Sequence, residues 1–370
     1  MKKVVIIGCG FAGVSAVERL SRFKREVEVT VIDRNPYFNF LPLLPDVIGR
    51  DIDPDNLRFP IRTLSEKLGL TFFEEEVTSV NLEKNSVSTH KQNITYDYLL
   101  IAAGSETNFY GNNEVKQCAW KLDDAADAAL IRKTIDENDF DYYVISGGGY
   151  TGIEIATNLR RYLDKRNKHK PVIIVEKAPG LLGPLPEWMK EYVSGNLKEM
   201  NIEVLTNNSV AKTSKNTVTL ANQKIFANAM FIWAAGVKTA DFIKDVPVEK
   251  TPQGRLKVDE YLKIKDNCFV AGDSSYFTYK NGFLRMAVQF AITQGDAAAA
   301  NIIRSIQGNK LIRFRPTDLG YIIPMANNKS CGSILGANLK GILPTLLHYV
   351  MCTYRSCGIK NKLGLLKNLI

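Results

Sequence analysis

No C-x-x-C pair occurs in this 370-residue chain, and its one C-x₄-C spacing, Cys352 to Cys357, has no second pair to go with it. Of its six cysteines, Cys9, Cys118, Cys268 and Cys331 are scattered and leave Cys352 and Cys357 without the two further ligands of a usual zinc site, so all six read as free, mostly buried thiols. Low-complexity segments are missing. No nucleic-acid recognition motif accompanies the net charge of +9, so nucleic acid is not an expected partner. That charge suits an anionic membrane surface, or plain solubility. A strand begins at Lys3 and a glycine loop at Gly8, leaving no room ahead of them for a signal peptide. A cytoplasmic start is therefore expected. Hydrophobic residues at 45% and charged residues at 24% describe ordinary globular domains, two or three of them at this length.

What is present is one pattern, twice. Residues 3–7 (KVVII) form an apolar strand, followed by Gly8-Cys9-Gly10-Phe11-Ala12-Gly13. A helical pattern then runs to about Phe23, with Val14, Val17 and Leu20 on one face, and a second strand, 27–32, ends at Asp33. Further on, 142–146 is a strand, Gly147-Gly148-Gly149-Tyr150-Thr151-Gly152 a loop, 153–163 a helix, and 172–175 a strand ending at Glu176. Each block is followed by a buried strand that closes in Ala-Gly, at Ala103-Gly104 and at Ala235-Gly236. The repetition predicts an internal duplication: two Rossmann-like dinucleotide-binding domains of the α/β class. Beyond them lie a strand around 268–270 that runs into Ala271-Gly272-Asp273, a helix from about 286 to 306, and a strand-like stretch over 311–328.

In a G-x-G-x-x-G loop one glycine makes the tight turn, one lets a pyrophosphate approach the backbone, and one lets helix and strand pack. The helix N-terminus adds N–H donors and the positive end of its dipole. Asp33 and Glu176 stand where a carboxylate can accept hydrogen bonds from a ribose diol. Ala271-Gly272-Asp273 after a second nucleotide domain resembles the FAD-ribityl motif of the pyridine-nucleotide disulfide oxidoreductase superfamily, and the resemblance covers nearly the whole chain. It implies FAD contacts at Gly8, Gly10, Phe11, Ala12, Gly13, Asp33, Arg34, Ala103, Gly104, Gly272, Asp273, Val288 and Gln289. It implies nicotinamide contacts at Gly147, Gly149, Tyr150, Thr151, Gly152, Glu154, Glu176, Ala235 and Gly236. Glu176 would repel a 2′-phosphate, so NADH is favoured over NADPH, although Lys177 stands beside it.

The dithiol branch of that superfamily needs a close cysteine pair beside the flavin. Here residues 37–45 read Tyr-Phe-Asn-Phe-Leu-Pro-Leu-Leu-Pro, and dithiol chemistry of that kind is excluded. The sulfide:quinone reductases' reactive cysteine in the second nucleotide domain is missing too, since none lies between Cys118 and Cys268. The Phe-x-Pro-Leu-Leu segment instead resembles type II NADH:quinone oxidoreductases, which are single-subunit and do not pump protons. Residues 288–295 (VQFAITQG) resemble that family's A-Q-x-A-x-Q-Q-G signature, 314–320 (FRPTDLG) its post-flavin segment, and the basic, apolar C-terminus its membrane anchor. The chain keeps Gln289 but carries Thr293 for the first glutamine of the family's Gln-Gln pair and Val288 for the leading alanine. The shorter hydroxyl of Thr293 cannot reach the same acceptor.

By the same resemblance Glu154 lies at the flavin–nicotinamide boundary, where it positions nicotinamide or relays a proton; an ordinary helix ion pair is the alternative. Tyr150 reads equally as a lid over flavin or as packing. Lys329 reads as a flavin-facing cation or, more simply, as a solvated lysine. From Leu339 onward Ile342, Leu343, Leu346, Val350 and Tyr354 fall at helical spacing, and Arg355, Lys360, Lys362 and Lys367 mark the turns around Leu363, Leu366 and Leu369. That run is shorter than the ~20 residues of a transmembrane helix, and an interfacial helix pair fits it better. A tail packed on the body, or on a second copy in a homodimer, is the alternative.

The expected architecture is an FAD domain, residues 1–111 and 241–312, with an NADH domain inserted at 112–240 and a C-terminal membrane-associating helical segment at 313–370. The expected activity carries two electrons from NADH through flavin to a membrane quinone, with Glu154, Gln289 and Thr293 at the reacting groups. The expected place is the cytoplasmic face of the cell membrane, or the cytoplasm if the tail is a protein interface. Two alternatives stand beside it: a soluble NADH-dependent reductase of oxygen or an electron-transfer protein, and a redox-quiet FAD/NADH sensor.

Overall fold

The computed structural model describes residues 1–280 and 282–369. The chain divides into two compact units: Met1–Phe38, Phe59–Glu106 and Val237–Asp318 form the first, and Asn39–Arg58, Thr107–Gly236 and the chain from Leu319 onward form the second.

Across the first unit's sheet the strands run Lys263–Lys265, Cys268–Val270, Tyr98–Ile101, Lys2–Ile7, Val27–Asp33 and Thr71–Glu74, all parallel but the first. Residues 4–7 and 99–101 are buried throughout, as a parallel strand covered on both faces requires. The Phe11–Leu20 helix buries Ala12, Ala16, Val17 and Leu20, and the Val288–Ile306 helix packs along it. Small residues permit that approach. A Cβ on Gly295 would strike the Ala12 backbone, and the Ser15 hydroxyl donates to the Ile292 carbonyl at 2.8 Å.

The second unit repeats the plan, with Ile202–Leu205, Val172–Val175, Tyr142–Ser146 and Ala229–Trp233 side by side and parallel. The first three strands of each block and the buried strand that follows them occupy the same places in both sheets. Their loop hydrogen bonds coincide as well. Gly8 and Gly147 donate to the Ile32 and Val175 carbonyls, and Ala102 and Ala234 to those of Ile7 and Ser146, all at 2.8 Å. The predicted duplication is therefore present in the backbone. Around this sheet one core cluster joins Ile48, Ile155, Leu159, Met189, Ile323, Met325 and Cys331, residues from three separate stretches of chain.

Near the C-terminus two expectations need correction. Only Gly320–Ile323 of the strand-like stretch is a strand; residues 311–319 are irregular, and Pro316 among them has no N–H for a ladder. Leu339 does not open a helix but pairs with Gly332 in the Ala337–Gly341 strand. The helix starts at Ile342, after Gly341 turns the chain with φ of 88°. Two helices follow, Ile342–Arg355 and Ile359–Leu369, while Ile370, the end of the predicted tail, lies outside the described residues. Pro344, Thr345, Tyr349, Cys352 and Leu365 face the unit's body and are buried. Ile342, Leu343, Leu346, Val350, Tyr354, Ile359, Leu363 and Leu366 are exposed, Tyr354 and Ile359 by 74% and 79%. Among the described residues no helix is long and apolar enough to cross a membrane.

Candidate functional site

Each unit carries one glycine loop at the carboxyl end of its sheet, and the geometry separates the three glycines of each. Gly8 and Gly147 sit at φ of 96° and 113°, where a side chain would also strike the Ala102 or Ala234 carbonyl. Gly13 and Gly152 lie so close to the first glycine's carbonyl that a Cβ would collide with it. Both positions are demanded by the fold. Gly10 and Gly149 are different: their φ of −76° and −82° suits any residue, and nothing lies within 4 Å of where a Cβ would be. The protein does not need glycine there, whereas a close-lying pyrophosphate does. The Phe11–Leu20 and Tyr150–Lys165 helices have neither a side-chain cap nor an acid in the first turn, which leaves their N-termini suited to an anion.

The two acids are placed alike. Asp33 accepts from the Cys9 and Asn35 N–H groups at 2.7 and 2.8 Å, and Glu176 from Gly148 and Ala178 at 2.6 and 2.7 Å. Each carboxylate braces its own loop with two of roughly four lone-pair positions. Desolvation raises the Asp33 carboxyl against the lowering effect of those N–H donors. Arg34, beside it, is ion-paired with Glu106 at 2.7 Å and Glu76 at 3.7 Å.

Two of the first unit's other predicted contacts lie against this loop. Ala103 lies against Gly8, and Gly272, at φ of 70°, lies against Ala12. Asp273 accepts from the Ser105 hydroxyl at 2.8 Å, and its carboxyl is raised by desolvation. The Phe11 ring meets Phe38 edge-on at 5.1 Å. Two residues that carried no predicted role hold the Asp273 turn. Gln294, buried, accepts from Gly272 N–H and the Ser275 hydroxyl at 2.8 Å each. Arg255, also buried, donates to the Ser275 and Leu284 carbonyls and is depressed by desolvation, with Asp273 countering. Gln294 stands inside a quoted signature, while Arg255 has no local mark in the sequence.

Val288 and Gln289 open the long helix, and Thr293 follows one turn later. The Thr293 hydroxyl is directed into its own helix, donating to the Gln289 and Phe290 carbonyls at 2.9 and 3.3 Å. Gln289 Nε2 donates to Asp318 at 3.2 Å.

In the second unit Ala235 accepts from the Tyr110 hydroxyl at 3.1 Å, and Tyr110 also lies against Gly236. Tyr150 packs edge-on against Tyr321, centroids 6.4 Å apart, which is a packing contact. Lys329 is paired with Glu199 at 2.5 Å, both exposed, and so is a surface lysine. Thr151 is exposed at the start of the helix and Glu154 half-buried one turn in. Burial, and then the Asp46 carboxylate, push the Glu154 carboxyl well above the ordinary range. Asp46 was not anticipated. It is buried, accepts from the Tyr349 hydroxyl at 2.7 Å, pairs with Arg50 at 3.1 Å, and is raised by desolvation to about 6. His348, next to Tyr349, is lowered by burial to about 4. Of the three residues predicted at the reacting groups, Gln289 and Thr293 lie in the first unit and Glu154 in the second.

Two glycine loops, each braced by its own acid, define a duplicated dinucleotide-binding oxidoreductase fold. The family described as pyridine nucleotide-disulphide oxidoreductase matches residues 2–295, and the chain belongs to it. It is similar to a type II NADH:quinone oxidoreductase of Staphylococcus aureus, 26% identical over 370 residues, covering 92% of this chain and 91% of that protein. In fold it is similar to NDH2 of Plasmodium falciparum solved with NADH, at TM-score 0.87 and 20% identity, covering 99% and 97% of the two chains. It is likewise similar to the sulfide:quinone oxidoreductase of Aquifex aeolicus, at TM-score 0.82 and 20% identity, covering 98% and 92%.

Proposed function

We propose that this protein is an FAD-dependent NADH dehydrogenase that passes two electrons from NADH to a quinone without pumping protons. The observation that carries the reading is the pair of open glycines. Gly10 and Gly149 are spared by the fold and needed by a ligand, once in each unit, so two dinucleotides are held. FAD goes to the first unit, where Gly272 lies against Ala12 and the neighbouring Asp273 accepts from Ser105, and NADH to the second.

FAD held at the Gly8 loop, Asp33 and Asp273 would supply the two-electron redox chemistry between NADH and quinone. The protein supplies placement. Asp33 and Glu176 hold their loops in the pyrophosphate-accepting shape and offer remaining lone pairs to a ribose. The Glu176 carboxylate disfavours a 2′-phosphate, which supports NADH over NADPH. Glu154, whose carboxyl burial and Asp46 push well above the ordinary range, is thereby biased toward its protonated form, which suits it to donate a hydrogen bond or a proton. Gln289 is the polar side chain for the quinone on the acceptor helix; with its hydroxyl turned inward, Thr293 contributes a surface and no donor.

The C-terminal helices support a peripheral place on the cytoplasmic face of the membrane. Their exposed stripe from Ile342 to Leu366 is flanked by Arg355, Lys360, Lys362 and Lys367, with no acid anywhere in residues 338–370. A homodimer through the same stripe is the competing arrangement.

Steady-state NADH oxidation by the purified protein, with menaquinone and ubiquinone analogues and with oxygen as control, tests the reading. Saturable quinone-dependent turnover well above the oxygen rate is expected. Equal rates with and without quinone would make it a soluble reductase of another acceptor, and no NADH oxidation at all would make it a sensor.

A further inference from the structure

Resting on the quinone reading above, we propose that Asp318, clamped by Arg285, is a positioning residue that fixes the Gln289 carboxamide for a quinone carbonyl. Arg285 donates through Nη1 and Nη2 to Asp318 Oδ2 and Oδ1 at 2.5 and 2.8 Å, a two-point pair that sets the plane of the carboxylate. The same guanidinium lies 5.2 Å from the centre of the buried Phe290 ring, so it is held from two sides. Gln289 Nε2 then donates to Asp318 Oδ1 at 3.2 Å.

A carboxamide turns about its last bond between two nearly equivalent orientations. Both oxygens of the Asp318 carboxylate accept and neither donates, so only the orientation with nitrogen toward Asp318 makes a bond. A quinone carbonyl needs a donor, and the hydroxyl of its two-electron product needs an acceptor. A carboxamide supplies both, provided that it need not be reordered at each encounter. The requirement is sharper here than in a site with two amides, because Thr293 gives its hydroxyl to the Gln289 and Phe290 carbonyls. The Arg285–Asp318 pair is half-exposed and exposed, with side-chain accessibilities of 35% and 49%, so it adds little to folding. Its consequence falls on the acceptor step.

The test uses the FAD-loaded full chain and a short-chain ubiquinone analogue. Asp318→Asn should raise the quinone KM, and the analogue's Kd for the oxidised protein by equilibrium dialysis, roughly three- to tenfold, the cost of ordering one rotamer-rich side chain on binding. Flavin reduction by NADH and the melting temperature should stay as in the wild type. The effect should vanish in a Gln289→Ala background, since Asp318 acts through that amide, and Asp318→Glu should restore part of it. Wild-type KM and Kd in Asp318→Asn overturn the inference. So does an effect undiminished in Gln289→Ala, or one matched by equal losses in melting temperature and NADH reduction. If the wild type is reduced by NADH yet turns over no quinone, the quinone reading fails first and takes this inference with it.

Discussion

Alanine at the two open glycines separates the fold from the ligand more cleanly than any other change in this protein. Gly149 and Gly10 have ordinary extended backbone angles, and a methyl group would meet nothing within 4 Å. Replacing glycine by alanine at such a position stabilises by about 0.4–1 kcal/mol through the unfolded chain. Loss of a preferred helix-capping residue costs a similar amount, so the net change stays within about 0.5 kcal/mol and the melting temperature within about 2 °C. The dinucleotide meets the methyl directly. Pushing a pyrophosphate off a close backbone approach by one carbon costs about 1.4–3 kcal/mol, or roughly ten- to a hundredfold in affinity. Gly149→Ala should therefore raise the KM for NADH by that factor, measured with a water-soluble dye, while FAD content and melting temperature hold. Gly10→Ala should lose FAD on gel filtration while circular dichroism stays native. Gly147→Ala and Gly8→Ala are the contrast: at left-handed φ and in collision with a carbonyl, they should cost soluble protein. A wild-type NADH KM in Gly149→Ala would show that the open glycine faces no ligand, and the reasoning from vacancy to cofactor would be refuted.

Glu176→Gln should raise the NADPH to NADH ratio of kcat/KM about tenfold by removing the charge near the 2′-position, while its remaining oxygen can still brace Gly148; an unchanged ratio would put Glu176 away from the ribose. Asp46 and His348 should tilt the pH dependence of stability in opposite senses. With Asp46 raised from 3.8 to about 6, its contribution is complete below 3.8 and lost as pH rises through 6; with His348 lowered from 6.5 to about 4, its contribution is complete above 6.5 and lost as pH falls through 4. Each is worth roughly 3 kcal/mol at most, so urea unfolding between pH 4 and 7.5 should show Asp46→Asn gaining on the wild type toward neutral pH and His348→Gln gaining toward acid; parallel curves would place neither titration in that window. Removing residues 338–370 would also strip buried Thr345, Tyr349 and Leu365, so the tail is better tested by Leu346→Ser with Val350→Ser, both more than half exposed. That pair should weaken flotation with anionic vesicles, intact protein should lose part of its binding at high salt, and the dye rate should be unchanged; intact protein left at the bottom of a low-salt gradient would make the stripe a protein interface.

The paired loops were legible because each is written in consecutive residues: strand, glycines, helix, strand, acid. The exposed stripe was legible for the same reason, and Ile342, Leu343, Leu346, Val350 and Tyr354 all face outward as their spacing predicts. Leu339 was misread because a short apolar-polar alternation before a glycine supports strand or helix until its partner, Gly332, is known. Asp46 and Tyr349 lie 303 positions apart, and no local pattern announces a bond between a carboxylate after a proline and a tyrosine on a terminal helix. The Thr293 departure from the glutamine signature was visible in the sequence. Only the structure shows where its hydroxyl goes, and that Arg285 and Asp318 stand beside the glutamine that remains.

Anaerobic double-mixing stopped-flow on the FAD-loaded protein tests the central claim most directly. Stoichiometric NADH should bleach the visible flavin band in the first mix, and a menaquinone or ubiquinone analogue should restore it in the second, both steps at least as fast as steady-state turnover. A band that NADH does not bleach, or one that bleaches and is restored by oxygen but by neither quinone, would contradict the account.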